Sequence, residues 1–157
     1  MKAEQRGMKI IGEPWHIESP VDVTDPCYDR DAWCRINGLQ VVPGEYTCAI
    51  AEEDTGMWGI RVSTIGIYLD GDVPATSEMD AIGDIGVDAG LAGFFVNKPD
   101  FTDVEWGAFC NQISSGRAWQ FTYGFCSSSG YGDGAYNVFA RMNSAGAINA
   151  LEIRFLD

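Results

Sequence analysis

Histidine is nearly missing from this chain. His16 is the single one in 157 residues, and it lies in a proline-flanked stretch with no nearby motif. A Cys–His nucleophile therefore has little to be built from, and a zinc site is poorly supported. Basic residues are also scarce, with 10 Lys and Arg against 23 Asp and Glu and a net charge of −13. Phosphate neutralisation needs clustered cations, so direct nucleic-acid binding is not expected. No apolar run approaches a membrane span, and the opening MKAEQRGMKIIGEPW does not read as a signal peptide. Repeats, low-complexity tracts and splitting linkers are absent too, which predicts one domain over 1–157. Met8 offers an alternative start, leaving 1–7 as a loose leader.

The 5 cysteines (Cys27, Cys34, Cys48, Cys110 and Cys126) are odd in number and contain no C-x-x-C pair. They read as reduced, mostly buried thiols of a cytoplasmic protein. The acidic balance leaves three openings: carboxylates that hold a cation, an acidic surface offered to a basic partner, or a soluble surface with excess acid.

Most segments alternate with period two, which predicts a β-rich α+β domain, either an antiparallel sandwich or a partly open barrel. In EYTCAIAE, Tyr46, Cys48 and Ile50 share a face. In MWGIRVSTIGIYLD the apolar phase shifts near Thr64, which predicts a bulge or bend. NVFARM and NALEIRFL, joined by Asn143-Ser144-Ala145-Gly146, read as a hairpin. Leu151, Ile153 and Phe155 fall on one side of its second strand, Glu152 and Arg154 on the other. One segment breaks the pattern: Trp106, Phe109, Cys110 and Ile113 follow a helical stripe. With Thr102-x-x-Glu105 as a capping box and Ser115-Gly116 as a stop, the spacing predicts one amphipathic helix near 102–114.

Three stretches pair an aspartate with turn-forming neighbours. In VTDPCYDRDAWC, Asp25-Pro26 predicts a tight corner, with Asp25 either capping backbone N–H groups or pointing into a site. In IGDIGVDAGLAGFFV, one strand face carries Asp84, Gly86, Asp88 and Gly90 and almost no bulk, which suits a close neighbour or a ligand. In SSSGYGDGAY, the glycines at 130, 132 and 134 permit tight curvature, and their N–H groups suit an anion nest. Asp133 there either binds a cation or caps the curve.

The order D-P, V-P-G-E-Y, G-V-D-A-G, S-S-G-Y-G-D-G-x-Y and closing hairpin resembles a domain family of unknown function from bacteria and phages. Its motifs are D-P, V-P-x-G-x-Y, G-V-D-S-G and S-G-x-G-D-G-x-Y. The resemblance runs from about Thr24 onward, with Ala89 where the family has serine. It implies that Asp25, Asp88 and Asp133 belong to one pattern, and it carries no activity.

The candidate ligand-binding residues are Asp25, Asp88, Gly90, Ser129, Gly130, Tyr131, Gly132, Asp133 and Gly134. Asp88 is expected beside the 130–134 loop. Trp15, Tyr28, Trp33 and Tyr131 are candidates to stack on a planar ligand. Core packing is the alternative for each, and is favoured for Trp33, Trp58 and Trp106. A small binding protein fits best, one of phage-accessory or anti-defence type that sequesters a nucleotide-like small molecule or blocks a host protein. The alternatives are a metal-assisted hydrolase using a divalent cation at Asp88 and Asp133, and an acidic DNA mimic or protein-interaction module.

Overall fold

The computed structural model describes residues 1–113 and 116–156. The larger of its two sheets contains β1 (Met8–Ile10), β2 (Trp15–Ile17), β5 (Gly44–Asp54), β6 (Ile60–Leu69), β7 (Asp80–Val87), β11 (Gly134–Met142) and β12 (Ile148–Arg154). They lie in the order β1-β5-β6-β12-β11-β7, and β2 shares the outer edge of β5 with β1. The smaller sheet contains β3 (Val21–Thr24), β4 (Ile36–Leu39), β8 (Leu91–Phe95), β9 (Ala118–Phe121) and β10 (Gly124–Ser128), ordered β4-β3-β8-β10-β9. Pairings between these strands are antiparallel. The domain is the β-rich α+β sandwich that alternation predicts.

The main core lies between the sheets. Tyr46, Cys48, Ile50, Ile65, Ile67, Leu151 and Ile153 of the large sheet meet Val21, Val23, Phe94 and Phe125 of the small one. The predicted bulge sits at Ser63, because Ala51 pairs with Thr64 while Glu52 pairs with Val62. That extra residue moves the inward set from Val62 to Ile65 and Ile67 without breaking the strand. The closing hairpin forms as expected, with Asn143 Oδ1 accepting from the N–H groups of Ala145 and Ala147.

A single helix, α1 (Asp103–Ile113), covers the outer face of the small sheet. Phe109 and Ile113 are buried against Phe95 and Cys126, with Trp106 and Phe121 at the margin. The predicted capping box is made at both ends: Glu105 N–H donates to Thr102 Oγ1, and Thr102 N–H to the Glu105 carboxylate. Its predicted stop falls partly on residue 115, which lies outside the described residues.

The outer face of the large sheet is covered in part by two distant segments. The leading residues, expected as a loose leader, are built into this layer instead. Ala3–Arg6 forms a 3₁₀ turn, Ala3 is buried, and Arg6 pairs with Glu152. With Val73 and Met79 from the β6–β7 connection, they close a second small core over Met8, Ala49, Tyr68 and Ala150.

Candidate functional site

Asp25 has 0% exposure, and its carboxylate is fully used. Oδ1 accepts the N–H of Cys27 at 2.9 Å, and Oδ2 accepts those of Asp88 at 2.9 Å and Ala89 at 2.6 Å. Residues 88–90 carry the chain from β7 in the large sheet to β8 in the small one. Asp25 thus pins a corner where neither sheet can satisfy the backbone.

Residues 129–133 make the reverse crossing, from β10 in the small sheet to β11 in the large one. This explains the length of the loop, since its flanking strands do not form a hairpin. The two corners sit together: Ser129 N–H donates to Gly90 O at 3.1 Å, and Gly134 pairs with Val87. The predicted proximity of Asp88 to the glycine loop is present in the backbone. Part of the loop's donor set is turned inward and is not offered to an anion. Gly132 N–H and Ser129 Oγ are spent inside the loop, and Tyr136 Oη donates to Gly132 O at 2.7 Å with Ser129 O 3.1 Å away. Gly130 is buried, and a Cβ there would lie 3.0 Å from Phe155 Cβ.

Gly90 has φ +70°, and a Cβ there would meet Gly132 Cα at an ordinary 4.0 Å. Gly90→Ala should therefore cost about 1–2 kcal/mol from backbone conformation alone. Urea melts should show a lower midpoint with an unchanged slope; a loss much larger than this would mean that the corners are packed more tightly than the Cβ distance indicates. Gly86 has a different neighbour from the one expected. Its Cβ position lies 3.1 Å from Cys34 Cβ, and its N–H donates to Cys34 O. The 26–35 loop therefore packs on β7 at Gly86, while Asp84 on the same face stays exposed.

The three aspartates do not act as one set. Asp25 is buried, whereas Asp88 and Asp133 face solvent. Among the described residues, Asp133 has no hydrogen bond or ion pair, so it does not cap the curve. No group of three or more His, Cys, Asp or Glu among the described residues is arranged to hold a metal ion.

All 5 thiols are free, but only Cys48 and Cys126 are fully buried; Cys27, Cys34 and Cys110 are half-buried. Burial pushes the Cys27 thiol up, and Asp25 and Asp88 add to the shift. It stays protonated and is a poor nucleophile.

Tyr131 does line a concave surface. It stands 58% exposed beside Trp58, which is 62% exposed at the tip of the β5–β6 hairpin. The two rings and Arg61 line a hollow of about 550 Å³. Arg61 Nε donates to Trp58 O at 2.8 Å, and the guanidinium lies 5.8 Å from the centre of the Tyr131 ring. The tip is braced by Thr55 Oγ1 donating to Gly59 O and by Gly56 N–H donating to Asp54. On its other side Tyr131 lines a hollow of about 330 Å³ with Glu53, Thr55 and Leu156.

Core packing was favoured for Trp33 and Trp58, and the structure reverses both: Trp33 is 94% exposed. Trp15, a stacking candidate, is buried in the main core. The signal for Trp58 was its place in TGMWG, where flanking glycines mark a hairpin tip and not a strand interior. Comparison with family models, curated proteins and solved structures returned no match.

Proposed function

We propose that the protein is a small binding protein that holds a planar, anionic, nucleotide-like molecule in the groove of Trp58, Arg61 and Tyr131. One observation carries this reading. Two exposed rings flank a guanidinium whose terminal nitrogens have no hydrogen-bond partner among the described residues. Ring faces attract a flat ring, and the guanidinium attracts an oxyanion attached to it. In a chain of net charge −13, a cation left unpaired between aromatics is a local exception. The half-buried thiols and the solvent-facing Asp88 and Asp133 supply no activated nucleophile, so the groove fits retention and not turnover.

Calorimetric titration with adenosine and guanosine phosphates tests this. Trp58→Ala and Tyr131→Ala should each weaken binding by about tenfold or more, since one base–ring stack contributes roughly 1–3 kcal/mol. Arg61→Gln should weaken the phosphates more than the nucleosides. Failure of every nucleotide to bind, or equal affinity in all three variants, would remove this reading.

A further inference from the structure

A second surface lies on the outer face of the large sheet. Thr64 on β6 pairs with Arg154 on β12, Arg154 with Asn137 on β11, and Asn137 with Asp84 on β7. Directly paired residues of antiparallel strands point to the same face. Four adjacent strands therefore carry one unbroken polar row. At about 4.8 Å per strand it spans roughly 14 Å.

The row is pre-organised and underused. Arg154 lies flat on Phe139, 3.7 Å from its ring centre. Its Nε donates to Glu152 and its Nη2 to Thr76 O, which leaves Nη1 for a ligand. Thr64 is 8% exposed, and its hydroxyl has no hydrogen-bond partner among the described residues. It lines a hollow of about 320 Å³ with Arg154, Asn137 and Thr76. The side chains of Asn137 and Asp84 are likewise unpaired among the described residues.

At the β7 end stands Trp33, sharing a hollow of about 240 Å³ with Asp84 and Ala135. Its loop is fixed from below. Buried Asp22 binds Arg30, Arg35 and Gly38 N–H, and Cys34 O accepts from Gly86. An almost fully exposed indole on a braced loop, at the end of a polar row, is a stacking platform followed by hydrogen-bonding groups.

We propose that this row binds a short oligosaccharide laid across the strands, with one sugar ring on Trp33. The chemistry selects that class. The exposed charges along the row are one carboxylate and one guanidinium, so it favours hydrogen-bonding capacity over net charge. Thr64, Asn137, Arg154 and Asp84 offer donors and acceptors in series, which matches a chain of hydroxyls. An indole face packs against the C–H face of a pyranose. The site is separate from the Trp58 groove and does not depend on it.

The test is an array of immobilised neutral and acidic oligosaccharides, followed by calorimetric titration of the sugar that binds. The wild-type chain should bind a neutral oligosaccharide with an affinity nearly independent of salt. Trp33→Ala should weaken it by about tenfold or more. Asn137→Ala and Thr64→Val should weaken it several-fold, and Trp58→Ala should leave it unchanged. Trp33 and Asn137 are exposed, so those two variants keep the fold even if Thr64→Val does not. Binding of no oligosaccharide overturns the proposal. So does equal affinity in Trp33→Ala and Asn137→Ala, or binding that collapses with salt, which would assign Arg154 to an anion instead.

Discussion

Asp25→Asn should lower the unfolding free energy by about 2–4 kcal/mol, although it changes one atom of a side chain that touches no solvent. The carboxylate accepts from one side at Cys27 and from the other at Asp88 and Ala89. An amide has one oxygen. Turned either way, its NH₂ faces N–H donors, and at least one donor loses its acceptor. Charge-assisted bonds contribute roughly 1.5–3 kcal/mol each, so the pair at 88–89 governs the outcome. For a chain of this size the loss corresponds to a fall in melting temperature of roughly 10 °C. Asp25→Ala should cost more. Asp88→Asn and Asp133→Asn are the controls. Both side chains are exposed and unpaired among the described residues, so each should stay within about 0.5 kcal/mol. An Asp25→Asn variant as stable as these controls would show that the corner holds without its carboxylate.

That contrast marks what one chain of letters can and cannot convey. Local chemistry was legible wherever partners lie a few residues apart. The capping box of Thr102 and Glu105, the Asn143 turn and the bulge at Ser63 are set by neighbours, and each leaves a short-range trace. Asp25 was legible as a cap on backbone N–H groups, and Cys27 two residues on bears this out; the further donors were not legible, because they lie 63 and 64 residues away. Alternation also cannot say which sheet a strand joins. The 127–136 stretch looks like an overlong hairpin until β10 and β11 are assigned to different sheets. Aromatics mislead for a related reason. Composition places tryptophan inside, yet Trp33 and Trp58 sit on tips whose exposure depends on how far the loops project. Trp15, flanked by proline and histidine, is covered by the opposite sheet.

The largest effect is expected where the sequence pattern was read correctly and its consequence was not. Glu152 does alternate with Leu151 and Ile153, but the face it points to is buried: its exposure is 0%. The leading turn at Ala3–Arg6 and the β6–β7 connection cover it. Its carboxylate accepts from Arg6, from Arg154 Nε at 3.1 Å and from Tyr68 Oη at 2.6 Å. Glu152→Ala leaves two guanidinium groups and a buried hydroxyl without their shared acceptor, and should cost about 3–5 kcal/mol. Tyr68→Phe should cost less, about 1–2 kcal/mol. The double variant should fall short of the sum by about 1 kcal/mol or more, because the two groups bond each other. Alkaline pH offers an independent check. Burial, and then Glu152, push the Tyr68 hydroxyl well above its usual range. A raised folded-state value means that its contribution is complete below the unfolded tyrosine pKa of about 10 and is lost as pH rises beyond it. Stability should therefore fall above pH ~10, and Tyr68→Phe should flatten part of that fall. If the alkaline profiles of wild type and Tyr68→Phe coincide, Tyr68 does not ionise from a buried, carboxylate-bonded state, and Glu152 is not held as described.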